Sequence, residues 1–91
     1  MPELTEKEEK AFEEVVALLE GIMNDRSVPR NIKRMAQRGI DAIDKNKEDT
    51  PGIVASNVMY TVGDLSQDPN CPFHTRTTIY RITSLLESIK D

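Results

Sequence analysis

Tryptophan is absent from this chain of 91 residues, and cysteine and histidine occur once each, as Cys71 and His74. A lone cysteine excludes an intramolecular disulfide and fits a reducing compartment. Cys71 and His74 stand three residues apart, but no second Cys or His exists to close a zinc site. His74 with Ser66 or Cys71 forms a nucleophile pair only on paper, from one turn and in single copy. The four glycines, Gly21, Gly39, Gly52 and Gly63, stand alone and make no phosphate-cradling loop. No apolar run approaches the ~20 residues of a membrane span. The acidic N-terminus, MPELTEKEEK, lacks the apolar core of a signal peptide. These absences point to a cytoplasmic protein without membrane association, cofactor, metal or catalytic residue, and so to a non-enzyme.

What the chain does have is an echo at a distance of 43 residues. Asp25 and Pro29 recur as Asp68 and Pro72. Ile22 recurs as Leu65, Val28 as Cys71, Lys33 as Arg76, Arg38 as Arg81 and Ile43 as Leu86. Each copy reads as an apolar helix end, a short turn and an amphipathic helix, at the spacing of helix-hairpin repeats. Two hairpins are few for a solenoid, so the expected fold is all-α: an antiparallel four-helix bundle in one domain, 1–91, with an open pair of hairpins completed by dimerisation as the alternative.

Four helices are predicted, at 6–24, 29–45, 51–66 and 72–89. Thr5 followed by Glu8 is a capping-box pattern, and Thr50-Pro51 is a second start signal. Ser27 and Asn70 are the expected N-caps of the second and fourth helices, with Pro29 and Pro72 in the first turns. Residues 45–49 (KNKED) form a polar connector. Asp25 and Asp68 tempt a paired-carboxylate reading, but an aspartate before a helix more simply accepts backbone N–H bonds in its own turn.

Charge is sorted by element, although the total is only −4. Residues 1–25 carry eight acidic and two basic side chains, and residues 26–40 carry five basic ones with no acid. One reading is that acidic helix one and basic helix two are complementary neighbours, in pairs worth ~0–1 kcal/mol each. The other is a binding surface. Arg26, Arg30, Lys33, Arg34 and Arg38 would form it, extended by His74, Arg76 and Arg81. Aromatic interleaving near it is confined to Tyr60, Phe73 and Tyr80, which does not favour single-stranded nucleic acid.

Two segments, NDRSVPRNIKR (24–34) and DPNCPFHTRT (68–77), resemble the signature stretches of the small archaeal family known as uncharacterised protein family 0147. The resemblance spans roughly Ala11 to Ile89. It implies a compact four-helix domain of archaeal, cytoplasmic origin and carries over no catalytic residue. The expectation is a small helical module that binds another protein. Its rivals are a nucleic-acid- or ribosome-associated protein using the basic face, and a self-associating homo-oligomer.

Overall fold

A computed structural model describes residues 4–46 and 48–89. Lys47 in the polar connector lies outside them, as do both chain ends. The elements are α1 (Glu6–Met23), α2 (Arg30–Lys45), α3 (Pro51–Val62), a 3-10 turn (Gly63–Gln67) and α4 (Phe73–Glu87). No strand occurs among the described residues. α1 packs on α2 and α4, and α3 packs on the same two, so the helices close a ring with α1 across from α3.

Two helices start where local chemistry predicts. The Thr5 hydroxyl accepts the Glu8 N–H at 3.1 Å, and the Glu8 carboxylate accepts the Thr5 N–H at 3.0 Å. The box satisfies two backbone donors that a helix start leaves unpaired. At α3, the Thr50 hydroxyl accepts from the Ile53 N–H and Pro51 fills the first position.

The other two starts differ from expectation. Pro29 and Pro72 are themselves the N-caps, at ψ 153° and 149°, and neither Ser27 nor Asn70 caps a helix. The Pro29 carbonyl accepts the N–H groups of Ile32 and Lys33, and the Pro72 carbonyl those of Thr75 and Arg76, all at 3.0–3.1 Å. Ser27 and Asn70 instead point their backbone N–H groups back at Asp25 and Asp68.

The third helix also ends earlier than its apolar pattern suggests. After Val62 the chain tightens into the 3-10 turn, with the Ser66 hydroxyl donating to the Gly63 carbonyl at 3.2 Å. Gly63 is a poor helix former, and a 3-10 winding sets residues three apart on one side. Val62 and Leu65 are both buried there. α4 stops at Glu87, where the Ser88 hydroxyl bonds the Leu85 carbonyl at 2.6 Å.

The core is the meeting of four stripes. Val15 and Leu19 come from α1, Ile32 and Ala36 from α2, Val54, Val58 and Val62 from α3, and Ile79, Ile82 and Leu86 from α4, all essentially inaccessible to solvent. Each large side chain so buried contributes about 1.5–3 kcal/mol. Gly39 sits where three helices converge. A Cβ there would lie 3.1 Å from Leu19 Cδ1 and 3.2 Å from Val62 Cγ1. The glycine costs helix propensity and admits α1 and α3 to close range. Gly39→Val should therefore destabilise the fold by about 1–3 kcal/mol through overpacking. Urea unfolding checks this; a midpoint at or above wild type would show that the close approach is dispensable.

Candidate functional site

The two turns before α2 and α4 are built alike. In the first, Asp25 Oδ1 accepts the Ser27 N–H at 2.8 Å and the Val28 N–H reaches the Asp25 carbonyl at 3.2 Å. In the second, Asp68 Oδ1 accepts the Asn70 N–H at 2.8 Å and the Cys71 N–H reaches the Asp68 carbonyl at 3.0 Å. These are Asx turns, in which a short side chain mimics a turn's backbone. Val28 and Cys71 then tuck into the core.

The second oxygen of each aspartate crosses to the other hairpin. His74 Nε2 lies 2.7 Å from Asp25 Oδ2, and Asn31 Nδ2 donates to Asp68 Oδ2 at 3.2 Å. Asn31 and His74 are themselves 43 residues apart, so the bonds are reciprocal. They join the two turns into one edge at one end of the bundle. Asn31 was not legible as a site residue, because its partner is 37 positions away; its only signal is that it aligns with His74 across the echo.

Electrostatics tightens this edge at Asp25. Its carboxyl is lowered from 3.8 to about 2, first by the Ser27 hydroxyl, which donates to it at 2.6 Å, and then by His74 and the Ser27 N–H. The Ser27 hydroxyl also lies 3.3 Å from His74 Nε2. Ser, His and Asp thus gather, but not as a relay. A relay needs the serine on one ring nitrogen and the carboxylate on the other; here Nε2 faces both, and the hydroxyl proton points at Asp25. Ser66 is occupied with the Gly63 carbonyl. Cys71 is buried, its thiol pushed up chiefly by that burial. No group of three His, Cys, Asp or Glu side chains among the described residues is placed to hold a metal ion.

The basic candidates fall into three sets. Arg26, Arg30, Arg34 and Arg38 are exposed, and none forms an ion pair among the described residues. Lys33 is half-buried. Arg76 folds back onto the Asp68 carbonyl at 3.2 Å, leaving its Nε buried without a partner. Arg81 is held by Glu14 of α1 through Nε and Nη2. Arg76 and Arg81 therefore do not extend the α2 row, since α4 stands across the bundle from α2.

The expected ion pairing of α1 with α2 is also absent among the described residues. The α1–α2 groove, of about 350 Å³, is lined by Val16, Glu20 and Met23 on one side and Gln37, Ile40 and Asp44 on the other. α2 turns an acid, not its arginines, toward acidic α1. The arginines point away from the core instead.

The Asp25 contacts carry a sign. A carboxylate whose folded pKa is depressed stabilises the fold fully above its unfolded value, here 3.8, and loses that contribution as pH falls toward about 2. Asp25→Asn should lower the melting temperature at neutral pH, and the gap from wild type should close as pH falls through this window. Melting curves from pH 7 to acid check it. Parallel curves would mean that the charge at Asp25 is idle.

No helix among the described residues is long and apolar enough to cross a membrane. Residues 2–89 match the Uncharacterised protein family UPF0147. A UPF0147 protein of Pyrococcus furiosus is 39% identical over 87 residues, covering 96% of this chain and 92% of the relative. One of Saccharolobus solfataricus is 44% identical over 86 residues, covering 91% and 92%. The crystal structure of a UPF0147 protein from Thermoplasma acidophilum superposes with a TM-score of 0.86 at 28% identity, over 94% of this chain and all of the other. That of MMP1188, a protein of unknown function, superposes with a TM-score of 0.85 at 34% identity over the whole of both chains. With the family match running almost end to end and the four-helix fold shared, the chain belongs to the archaeal UPF0147 family.

Proposed function

We propose that this protein is a non-enzymatic interaction module that binds another protein through the edge formed by its two turns. The observation that supports this is the pair of reciprocal bonds, His74 to Asp25 and Asn31 to Asp68. They fasten two loops from different hairpins into one preorganised surface, and a surface ordered in advance loses less entropy on binding. Arg26 and Arg30 are exposed on it, and Phe73, at the head of α4, is 83% exposed. Exposed Arg and aromatic side chains together are the composition of binding hot spots. The partner that fits is a protein with an apolar notch beside acidic groups. A single, buried cysteine, Cys71, is consistent with a cytoplasmic setting.

Co-purification from the native host, with and without nuclease, tests this. A discrete, nuclease-resistant protein is the expected catch. Arg30→Glu and Phe73→Ala should each weaken its binding by about 2 kcal/mol or more, with the melting temperature unchanged. Retention of the partner by the double variant would remove the edge from consideration.

A second reading rests on a separate observation. Arg30, Arg34 and Arg38 recur at four-residue intervals, exposed and outside any ion pair among the described residues. Such a row suits phosphates. Binding to nucleic acid would then weaken with a log–log salt slope of about −0.9 per phosphate neutralised on duplex DNA. Reversing Arg34 and Arg38 should flatten that slope. A nuclease-sensitive set of partners would favour this reading over the first.

A further inference from the structure

The α1–α2 groove is acidic toward both ends and apolar between. Its register follows from Leu19, which packs beside Gly39. Two helices joined by a short turn run antiparallel. Glu20 is therefore level with Arg38, and Asp44 lies six residues further along α2. At ~1.5 Å per residue, the two acids stand about 9 Å apart along the groove. Ile40, buried, and Val16, half-buried, lie between them. Glu20 and Asp44 are both exposed, and neither forms an ion pair among the described residues.

Both acids stand where the backbone disfavours them. Each is in the last turn of its helix, α1 ending at Met23 and α2 at Lys45. The backbone is already partly negative there and favours a cation. The last turn of α1 holds no basic residue. The cations of α2 nearest to the two acids turn elsewhere. Arg38 leans on Met35 Sδ at 3.8 Å, and Lys45 pairs with Asp41 at 3.8 Å. Among the described residues, no Lys, Arg or His side chain lines the groove. Gln37, which does, donates its Nε2 to Asp41 at 3.0 Å, so its amide oxygen remains to accept.

We infer that this groove binds a linear alkyl polyamine, with one ammonium group at Glu20, another at Asp44, and the methylene chain over Ile40 and Val16. Charge complementarity selects the occupant. Two separated carboxylates call for two cations, and the apolar floor calls for methylenes between them. A single Lys or Arg of a partner protein brings one cation, and a hydrated divalent ion brings no apolar surface. The groove, at about 350 Å³, is of the size that holds small ligands. None of these residues belongs to the turn edge, so the inference stands apart from the protein-binding role.

Isothermal titration calorimetry of the whole protein with hexamethylenediamine tests it, at low ionic strength, where exposed charges are least screened. Hexylamine, with the same chain and one ammonium, should bind at least about tenfold more weakly, the size of one charge-assisted hydrogen bond. Glu20→Gln with Asp44→Asn should weaken diamine binding by about tenfold or more. Both positions are exposed, so far-ultraviolet circular dichroism should show unchanged helix content. Asp64→Asn with Glu87→Gln removes the same charge from exposed positions elsewhere and should leave binding as it is. No diamine binding up to about 10 mM would overturn the inference. Equal affinity for the two amines would do so without any variant. So would an equal loss from the Asp64 and Glu87 substitutions, which marks attraction to net charge alone. Binding of a lysine-rich peptide where the diamine fails would give the groove to a protein segment instead.

Discussion

Two aspartates each use both carboxylate oxygens, one locally and one at long range. Oδ1 of Asp25 holds its own turn through the Ser27 N–H, and Oδ2 meets His74 of the other hairpin. Asp68 does the same with the Asn70 N–H and Asn31. The local bond sets the turn, and with it the proline-led start of the next helix. The distant bond fixes how the two hairpins meet at that end. Helix propensity governs neither. Without the turns, the apolar stripes of α2 and α4 would still form, but nothing at this end would align them.

Charge in this protein acts by face and not by helix. α1 is acidic and α2 basic in total, which invites the thought that they attract. The α1–α2 groove, however, has Glu20 on one side and Asp44 on the other. The α1 acid that does find a cation finds Arg81 on α4. A helix interacts with each neighbour through only a narrow strip of its circumference, so its summed charge says little about any one contact. What aligns α1 with α2 is the packing of Leu19 against Gly39.

Much of the fold was readable because its signals are local. Thr5 with Glu8, and Thr50 with Pro51, settle helix starts within four residues. The apolar stripes of α2 and α4 separate buried from exposed positions with no knowledge of the partner helices. The misreadings all involve choices between competing partners. Serine is a good cap, so Ser27 is expected to cap α2, yet Asp25 is closer and takes both its N–H and its hydroxyl. The 3-10 winding after Val62 depends on Gly63, Ser66 and packing against α4 together. Asn31 needed the tertiary fold to bring Asp68 within reach.

The surfaces are independent of the fold to an unusual degree. The arginine row of α2 makes no ion pair among the described residues, and exposed pairs are worth only ~0–1 kcal/mol in any case. Tyr60 contributes little burial at 90% exposure. These side chains could be lost with little cost to the core. A hydrated arginine is content in water, so its exposure alone says little. An exposed tyrosine is different, since its ring gains from leaving water wherever a partner surface exists. On physical grounds an exposed ring such as Tyr60 therefore gains more from a contact than the arginine row does. The turn edge joins exposed arginine and exposed phenylalanine on two loops that are hydrogen-bonded across the hairpins.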